Sequence, residues 1–444
     1  MAYPETMMRA AFLTLLIAPA ACAGACSGGA GAAPARLTFD PSAPAQTMEG
    51  FGGSNVMLAP LTDAQADLFF GTSSGIGLTI FRLGIANPES GTGTYFQDND
   101  PGYNNSILDA KKALARNPAV KVIATPWSPS ATYKTTGSIK SGSLLPSSYA
   151  SWANYMGAAV DSARSQGIDL YAVGMQNEPD HDSKGAWEMC LYTPEQARDF
   201  IKVLGPILAA RSPAPKLIAP EPASWSRMWS GGGGYADVIA ADPAALSQIG
   251  IWGTHQYGNP FGSVSPPGAQ HGRPIWVTEA SENIPTDNTM PQGLRIARWI
   301  HHAIVVGKAS AWLHWWLVSD GPHTQGLLAR DGVTQSKRLW VLGNYSKFVR
   351  PGFVRHGHTG AAPADVLVTF YRGTTSSDTV VVAINEATSP STLRFSLGAA
   401  KTVTPWITDA SRNLAEQAPA AVVGGEFSYA LPPQSLTTFV AGSR

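Results

Sequence analysis

Eight short β-rich runs separated by helical patterns constrain the fold of this chain most strongly. They fall between about residues 50 and 350, and several are continuous apolar stretches. Continuous apolar runs are typical of parallel strands that are buried on both faces. The runs begin at Gly50, Gly77, Val120, Asp169, Lys216, Gly250, Pro274 and Ser310. Eight strand–helix alternations predict an α/β fold, a (β/α)8 TIM barrel over residues 50–350.

The segments between these runs carry helix signals. Thr193 is a good N-cap, because Pro194 occupies the first helical position and Gln196 the third. Residues 148–166 are periodic, and Gly167 supplies a C-terminal stop. The same kind of pattern predicts further helices over residues 61–70, 107–116 and 291–306.

The pattern changes after Pro351, where six short strands are separated by turn signals. Their sequences are VLVTFYR, DTVVVAIN, TLRFSL, TVTPWITD, EFSYAL and LTTFVAG. They predict an attached antiparallel β-sandwich side domain over residues 351–444. A further short strand, Leu37–Phe39, lies in residues 36–49 before the barrel. We expect it to pair with the C-terminal strands, because chain termini are often close together.

The N-terminal 25 residues resemble a secretory signal peptide. Arg9 precedes an apolar stretch over residues 10–25, which ends in small residues and is too short to span a membrane. We therefore expect a secreted or periplasmic protein, with a linker over residues 26–35. Cys22 or Cys26 could instead become a lipidated N-terminal residue that anchors the chain.

Charge and cysteine content exclude several kinds of partner. The chain has 31 Lys and Arg against 31 Asp and Glu, and only 14% of its residues are charged. Such a chain has no basic excess for nucleic acid or for an anionic membrane surface, and its composition suggests a neutral ligand. Its three cysteines form neither a disulfide framework nor a Cys/His metal spacing. His181 and Asp182 lack a third ligand at a defined offset and are interpreted as a solvated loop. We expect a monomer without a metal.

Two glutamates follow apolar runs at the end of a barrel where active sites lie. Glu178 ends strand four in the motif QNEPD, and Glu279 ends strand seven in WVTEA. Burying a carboxylate after such a run is costly without a partner or a task. Paired carboxylates in one cleft are what glycosidic cleavage needs, since one donates a proton and the other attacks the anomeric carbon. That chemistry requires no cofactor. A separation of about 5–5.5 Å gives retention and about 6.5–9.5 Å gives inversion.

Six further side chains at the strand ends are candidate substrate-binding or supporting residues. Arg82 could hold an ionised carboxylate, Tyr257 could donate to Glu279, and Asn177 could bond a sugar hydroxyl. Each also has an ordinary structural explanation, as an ion pair, a core residue or a turn residue. The complete set is Arg82, Trp127, Asn177, His255, Tyr257 and Trp315. The two tryptophans could stack on sugar rings, although a tryptophan in a barrel is often part of the core.

Six motifs in order resemble glycoside hydrolase family 30, in particular its bacterial endoxylanase branch. The motifs are Phe51-Gly52-Gly53, PWSPS from Pro126, QNEPD from Gln176, THQYG from Thr254, WVTEA from Trp276 and YSKFVRPG from Tyr345. The resemblance extends over residues 36–443. It implies a (β/α)8 barrel with a side β-sandwich and hydrolysis with retention. It also implies that Glu178 is the acid/base and Glu279 the nucleophile.

One departure from the family pattern bears on the substrate. Glucuronoxylan-specific members carry an arginine just after the strand-eight tryptophans, whereas here residues 315–320 read WWLVSD. Without a guanidinium no bidentate contact to a glucuronate carboxylate can form. We therefore predict an endo-β-1,4-xylanase with no glucuronate requirement. His314 and His323 could shape a different subsite. The alternatives are an endo-β-1,6-galactanase or β-1,6-glucanase of the same family, and a non-catalytic carbohydrate-binding barrel.

Overall fold

Eight parallel strands close into a barrel in the computed structural model, which confirms the predicted fold class. The structure describes residues 33–89, 95–96, 106–257, 264–282, 289–319, 324–373, 379–398, 400 and 402–442. The barrel strands are β2 (Gly50–Ser54), β3 (Ile80–Ile85), β4 (Lys121–Pro126), β5 (Ala172–Gly174), β6 (Lys216–Pro220), β7 (Ile249–His255), β8 (Ile275–Ala280) and β9 (Ala309–Trp315). Each predicted run overlaps one of them, with boundaries that agree to within a few residues.

Several features predicted near the N-terminus and in one loop lie outside the described residues. They are the signal peptide over residues 1–25, Cys22 and Cys26, residues 26–32 of the linker, and Asp320 and His323. Within the described ranges, no helix is both long and apolar enough to span a bilayer.

The helices alternate with the barrel strands as predicted. They are α1 (Asp63–Phe70), α2 (Ser106–Arg116), α3 (Tyr149–Ser165), α4 (Pro194–Ala209), α5 (Tyr235–Ala240), α6 (Pro243–Gln248), α7 (Met290–Val305) and α8 (Lys337–Ser346). Single 3-10 turns occur at Ala131–Tyr133, Pro146–Ser148 and Trp225–Arg227. The predicted cap of α4 is present, since Thr193 Oγ1 accepts from Gln196 N at 3.2 Å and Gln196 Oε1 accepts from Thr193 N at 2.8 Å. This reciprocal pair satisfies two backbone donors at the start of the helix.

One buried apolar cluster draws on seven of the eight barrel strands. Its members are Ile80, Ile123, Ala172, Ile218, Ile251, Trp276, Ala311 and Leu313. Because barrel strands point alternate side chains inward, these residues are the ones that fill the barrel interior. The interior is therefore a packed core, and a substrate can bind only at the mouth of the barrel.

The remaining strands form the predicted side domain as one continuous, mostly antiparallel sheet. They are β1 (Ala35–Thr47), β10 (Val354–Thr359), β11 (Val366–Arg372), β12 (Thr379–Asn385), β13 (Ser391–Ser396), β14 (Thr402–Thr408), β15 (Ala415–Glu416), β16 (Ala420–Ala421), β17 (Glu426–Leu431) and β18 (Ser435–Gly442). Their order is β15-β14-β18-β12-β11-β10-β1-β13-β17, with β16 also on β14. One shared core holds Phe39, Phe370, Phe395, Phe427 and Phe439, so the sheet curls over itself.

The N-terminal strand pairs with the C-terminal strands, as expected. It is antiparallel to β10 and parallel to β13, with Thr38 opposite both Thr359 and Ser396. The two ends of the chain therefore build one sheet. Asn344 in α8 joins this sheet to the barrel, because its buried amide donates from Nδ2 to Trp406 O at 3.1 Å and accepts at Oδ1 from Thr408 Oγ1 at 2.6 Å.

Candidate active site

The carboxyl ends of the barrel strands open into a pocket of about 550 Å³. It is lined by Met57, Trp127, Asn177, Glu178, His181, Ala186, Trp187, Ala223, Tyr257, Glu279, Trp315, Trp316 and Gln325. Six of the eight predicted site residues are among them. The other two, Arg82 and His255, are fully buried and bonded to the lining residues.

Glu178 follows β5 and turns into the pocket through a left-handed backbone conformation, with φ of +46°. Its N–H donates to the carbonyl of Glu221 at 3.0 Å, which fixes the turn against the neighbouring strand. The side chain is only 12% exposed. Burial raises the pKa of Glu178 to about 7, with Asp180 adding to the rise and His181 and Arg82 opposing it. A substantial fraction of this carboxyl therefore carries a proton near neutral pH.

Glu279 lies in β8 and is held by two donors. Arg82 Nη1 contacts its Oε2 at 2.5 Å, and the Tyr257 hydroxyl donates to its Oε1 at 3.0 Å. Burial raises the pKa of Glu279, and the guanidinium of Arg82 opposes that rise. Because a direct cation and a hydroxyl donor both favour the charged form, Glu279 is the carboxyl that this site is built to keep ionised.

His255 links the two carboxyl groups. Its Nδ1 is 3.0 Å from Glu178 Oε1, and its Nε2 is 3.9 Å from Glu279 Oε2. One oxygen of each carboxyl and a ring nitrogen of His255 all lie within 4.8 Å of one another. The two carboxyl groups therefore approach each other closely, with one oxygen of each within 4.8 Å of the other.

The protonation of His255 follows from its burial, which lowers its pKa to about 4 and leaves the ring neutral at pH 7. A neutral ring carries one donor and one acceptor. A proton on Nε2 faces the ionised Glu279, and the lone pair on Nδ1 then accepts from a protonated Glu178. This tautomer is the one that agrees with an acid at residue 178 and a carboxylate at residue 279.

A third buried carboxylate, Glu221, lies beneath the pair. It follows β6 in a left-handed conformation, with φ of +62°. Its Oε2 accepts from Thr125 Oγ1 at 3.0 Å, and its Oε1 is 3.6 Å from Arg82 Nη2. The same guanidinium nitrogen donates to Asn177 Oδ1 at 2.7 Å. Arg82 therefore connects Glu279, Asn177 and Glu221. Its buried guanidinium lies beside the carboxyl groups of both Glu279 and Glu221.

Three tryptophans form one wall of the pocket. The rings of Trp127 and Trp315 lie 5.8 Å apart, and those of Trp315 and Trp316 lie 4.6 Å apart across a cis peptide bond. Met57 packs against this cluster. The predicted placement of Trp127 and Trp315 at the pocket agrees with the structure, whereas Trp316 and Met57 were not predicted.

Some pocket residues come from loops that the sequence patterns did not single out. His181 was interpreted as part of a solvated loop, but its ring reaches the pocket, while Asp182 is exposed and pairs with Lys184 at 2.7 Å. His314 does not shape a subsite, because it is fully buried in β9 with Nε2 2.7 Å from the carbonyl of Gln325. The sequence also places Glu221 at a strand end, in the run KLIAPEP, but only Glu178 and Glu279 are predicted to have a role there.

The site has three side chains that could bind a metal ion, but a positive charge already lies among them. Glu178, His255 and Glu279 are close enough to surround an ion. However, the guanidinium of Arg82 already contacts an oxygen of Glu279, and its charge would repel a metal ion there. The arrangement fits acid–base and nucleophilic chemistry at two carboxyl groups.

Known proteins share both the sequence and the fold. Residues 49–260 match the glycosyl hydrolase family 30 TIM-barrel domain. The chain is 31% identical over 421 residues to the glucuronoxylanase XynC of Bacillus subtilis (strain 168), covering 91% of each protein.

Two solved structures resemble the whole described molecule. The family 30 subfamily 8 xylanase Xyn30A of Clostridium acetobutylicum superimposes with a TM-score of 0.78 at 31% identity, covering 91% of this chain and 99% of that one. A family 30 endoxylanase of Clostridium papyrosolvens C71 gives 0.76 at 30% identity, covering 92% and 100%. The chain therefore belongs to glycosyl hydrolase family 30, and it is a glycoside hydrolase.

Proposed function

We propose that this protein is a retaining endo-β-1,4-xylanase that cleaves xylan without requiring glucuronate branches. The relatives that are 30–31% identical over nine-tenths of the chain are named xylanases, endoxylanase or glucuronoxylanase. The observation that carries the mechanism is the pair of buried carboxyl groups, whose nearest oxygens lie within 4.8 Å across the pocket. That spacing favours double displacement over direct attack by water.

In the first step Glu178 gives its proton to the glycosidic oxygen while Glu279 attacks the anomeric carbon. The bond from that carbon to the leaving oxygen breaks, and an ester to Glu279 forms with inverted configuration. Arg82 and Tyr257, which hold the Glu279 carboxylate, keep it ionised and fix its direction before the attack.

In the second step Glu178, now a carboxylate, removes a proton from water. The water oxygen bonds to the anomeric carbon, the ester to Glu279 breaks, and the second inversion restores the original configuration. Both residues return to their starting protonation states, so the cycle needs no other proton donor and no redox partner.

The pocket lining supports independence from glucuronate. Among the described residues that line it, none is a lysine or an arginine. The nearby Arg82 is fully buried and engaged by Glu279 and Asn177, so it is not available to a substrate carboxylate. A glucuronate branch would therefore form no ion pair with these lining residues. We expect an unbranched xylose chain to bind them as well as a branched one.

Product profiling tests this proposal most broadly. The protein is incubated with glucuronoxylan, arabinoxylan, β-1,6-galactan and β-1,6-glucan, and the products are separated by size and sequenced by mass. We expect internal cleavage of both xylans, with cuts that do not follow the glucuronate positions. Cleavage of the β-1,6 polymers alone would defeat the xylanase assignment. Products confined to sites beside glucuronate would defeat the argument from the uncharged lining.

A further inference from the structure

Trp187 is an aromatic side chain on the wall of the pocket that the mechanism above does not use. It lies in the loop that follows Glu178, and 42% of it is exposed, which makes it one of four large exposed apolar residues among those described. A large apolar ring left open to water at the rim of a binding pocket marks a surface that another molecule covers.

The loop holds this ring in a defined position. The indole of Trp187 stacks on the imidazole of His181, with centroids 5.6 Å apart and planes 7° from parallel. The N–H of His181 donates to the carbonyl of Glu178 at 3.0 Å, and Ser183 Oγ donates to the carbonyl of Trp187 at 2.9 Å. The two stacked rings, which we call the His181–Trp187 platform, are therefore tied directly to the backbone of the proposed acid.

The position of the platform assigns it to one side of the scissile bond. In double displacement the nucleophile attacks the anomeric carbon on the face opposite the leaving group, and the acid contacts the leaving oxygen. The sugar that departs therefore lies next to Glu178, on the side away from Glu279. The platform belongs to the Glu178 loop. The wall of tryptophans has Trp127 directly after β4, Trp315 at the end of β9 and Trp316 directly after β9.

We propose that the His181–Trp187 platform is the subsite for the sugar ring of the leaving group, a neutral pyranose that stacks on the indole through its C–H face. This assignment rests on the proposed function for the identity of the sugar but not for the stacking. His181 covers one face of the indole, so the exposed area belongs to its other face and edges. The exposed part of the platform is the apolar indole of Trp187, and an uncharged pyranose ring suits such a face.

The same subsite would receive an acceptor sugar in the second half of the reaction. The acceptor hydroxyl oxygen bonds to the anomeric carbon, its proton passes to the Glu178 carboxylate, and the ester bond to Glu279 breaks. The balance is that of hydrolysis with an alcohol in place of water. The ratio of transfer to hydrolysis therefore reports binding at the platform, because both outcomes start from one glycosyl-enzyme.

The test compares Trp187→Ala with the wild type on two substrates built from the sugar of whichever polymer the wild type cleaves in the panel above. One is an oligosaccharide that extends beyond the scissile bond, and the other is a disaccharide fluoride, whose leaving group has no ring. We expect kcat/KM to fall at least about tenfold on the oligosaccharide. On the fluoride it should change less than twofold. The transfer-to-hydrolysis ratio with added disaccharide acceptor should also fall at least about tenfold.

Two further variants guard against damage to the loop. Trp187→Phe keeps an aromatic face and should recover most of the oligosaccharide activity. Lys184→Gln, an exposed substitution in the same loop, should resemble the wild type on both substrates. An equal loss on the fluoride and the oligosaccharide, or no change in the transfer ratio, would overturn the platform. Failure of xylan to react would overturn the xylanase proposal and leave this comparison intact with the polymer that does react.

Discussion

At the scale of single residues, the two carboxyl groups differ in what surrounds them rather than in how deeply they are buried. Glu178 meets His255 and has a pKa raised to about 7, while Glu279 meets the guanidinium of Arg82 and the hydroxyl of Tyr257. When the surroundings of two carboxyl groups push their pKa values apart, the group with the higher pKa is assigned as the acid and the other as the nucleophile. The rate constant kcat/KM should therefore fall as the pH rises above about 7, where Glu178 loses its proton.

Glu221 gives a prediction about this pH dependence. Its charge lies 3.6 Å from Arg82, and Arg82 lowers the pKa of both Glu178 and Glu279. Glu221→Gln removes an anion that offsets Arg82, so the guanidinium acts more strongly on both carboxyl groups. We expect both limbs of the profile of kcat/KM against pH to move to lower pH.

The matched control for Glu221 is Thr125→Val. It removes the hydroxyl that donates to Glu221 Oε2 but keeps the charge of Glu221. The limbs should then stay where the wild type has them. If Glu221→Gln left both limbs in place, or moved them to higher pH, the role of Glu221 in offsetting the positive charge of Arg82 would be wrong.

Single residues at the strand ends could be predicted because barrel geometry places them. A polar side chain in or just after an apolar barrel strand is expected near the mouth of the barrel. This rule predicts that Arg82, inside β3, and Asn177 and Tyr257, after β5 and β7, lie at the pocket or beneath it. The positions of His181 and Trp187 could not be predicted in this way, because the direction of a loop of several residues depends on its own hydrogen bonds. Nothing in the sequence indicates that these two rings stack.

At the scale of elements, the contact of α8 with the side sheet can be tested with a single substitution. The amide of Asn344 is fully buried and bonds to Trp406 O, Thr408 Oγ1 and Thr438 Oγ1. Asn344→Ala removes three hydrogen bonds between α8 and the strands β14 and β18, which costs about 1–3 kcal/mol. We expect that loss in the free energy of unfolding measured with guanidinium chloride, with kcat/KM unchanged at 25 °C.

Asn413→Ala is the control at the same interface. Asn413 is exposed and accepts from Lys337 Nζ at 2.7 Å, so its loss should change stability by less than about 0.5 kcal/mol. A loss at residue 344 no larger than at residue 413 would mean that the buried amide does not join α8 to the sheet.

Element types were predictable where local and periodic signals agreed. The cap at Thr193 and the stop at Gly167, with φ of +85°, both lie where the sequence places them. The short helices α5 and α6 were not predicted, because six residues are too few to show a period. Their signals are local only, such as Asp242, whose side chain accepts from Ala244 N and Ala245 N.

At the scale of the whole molecule, the alternation of strands and helices was enough to predict the barrel, because few folds use eight buried parallel strands. The side domain was less accessible. The strand from the N-terminus could be expected to join it, but not that it would pair parallel with β13, since register depends on contacts between residues more than 350 positions apart. That all ten strands join in one sheet could not be predicted for the same reason, because it also depends on contacts between residues far apart in the sequence.

The configuration of the first product tests the central claim most directly. The claim is that Glu178 and Glu279 act as acid/base and nucleophile in a double displacement. Proton NMR during the first turnovers on a β-linked oligosaccharide distinguishes the anomers before they interconvert. We predict that the β-anomer forms first and the α-anomer appears later by mutarotation. Initial formation of the α-anomer would show inversion and would contradict the assignment of Glu279 as a nucleophile.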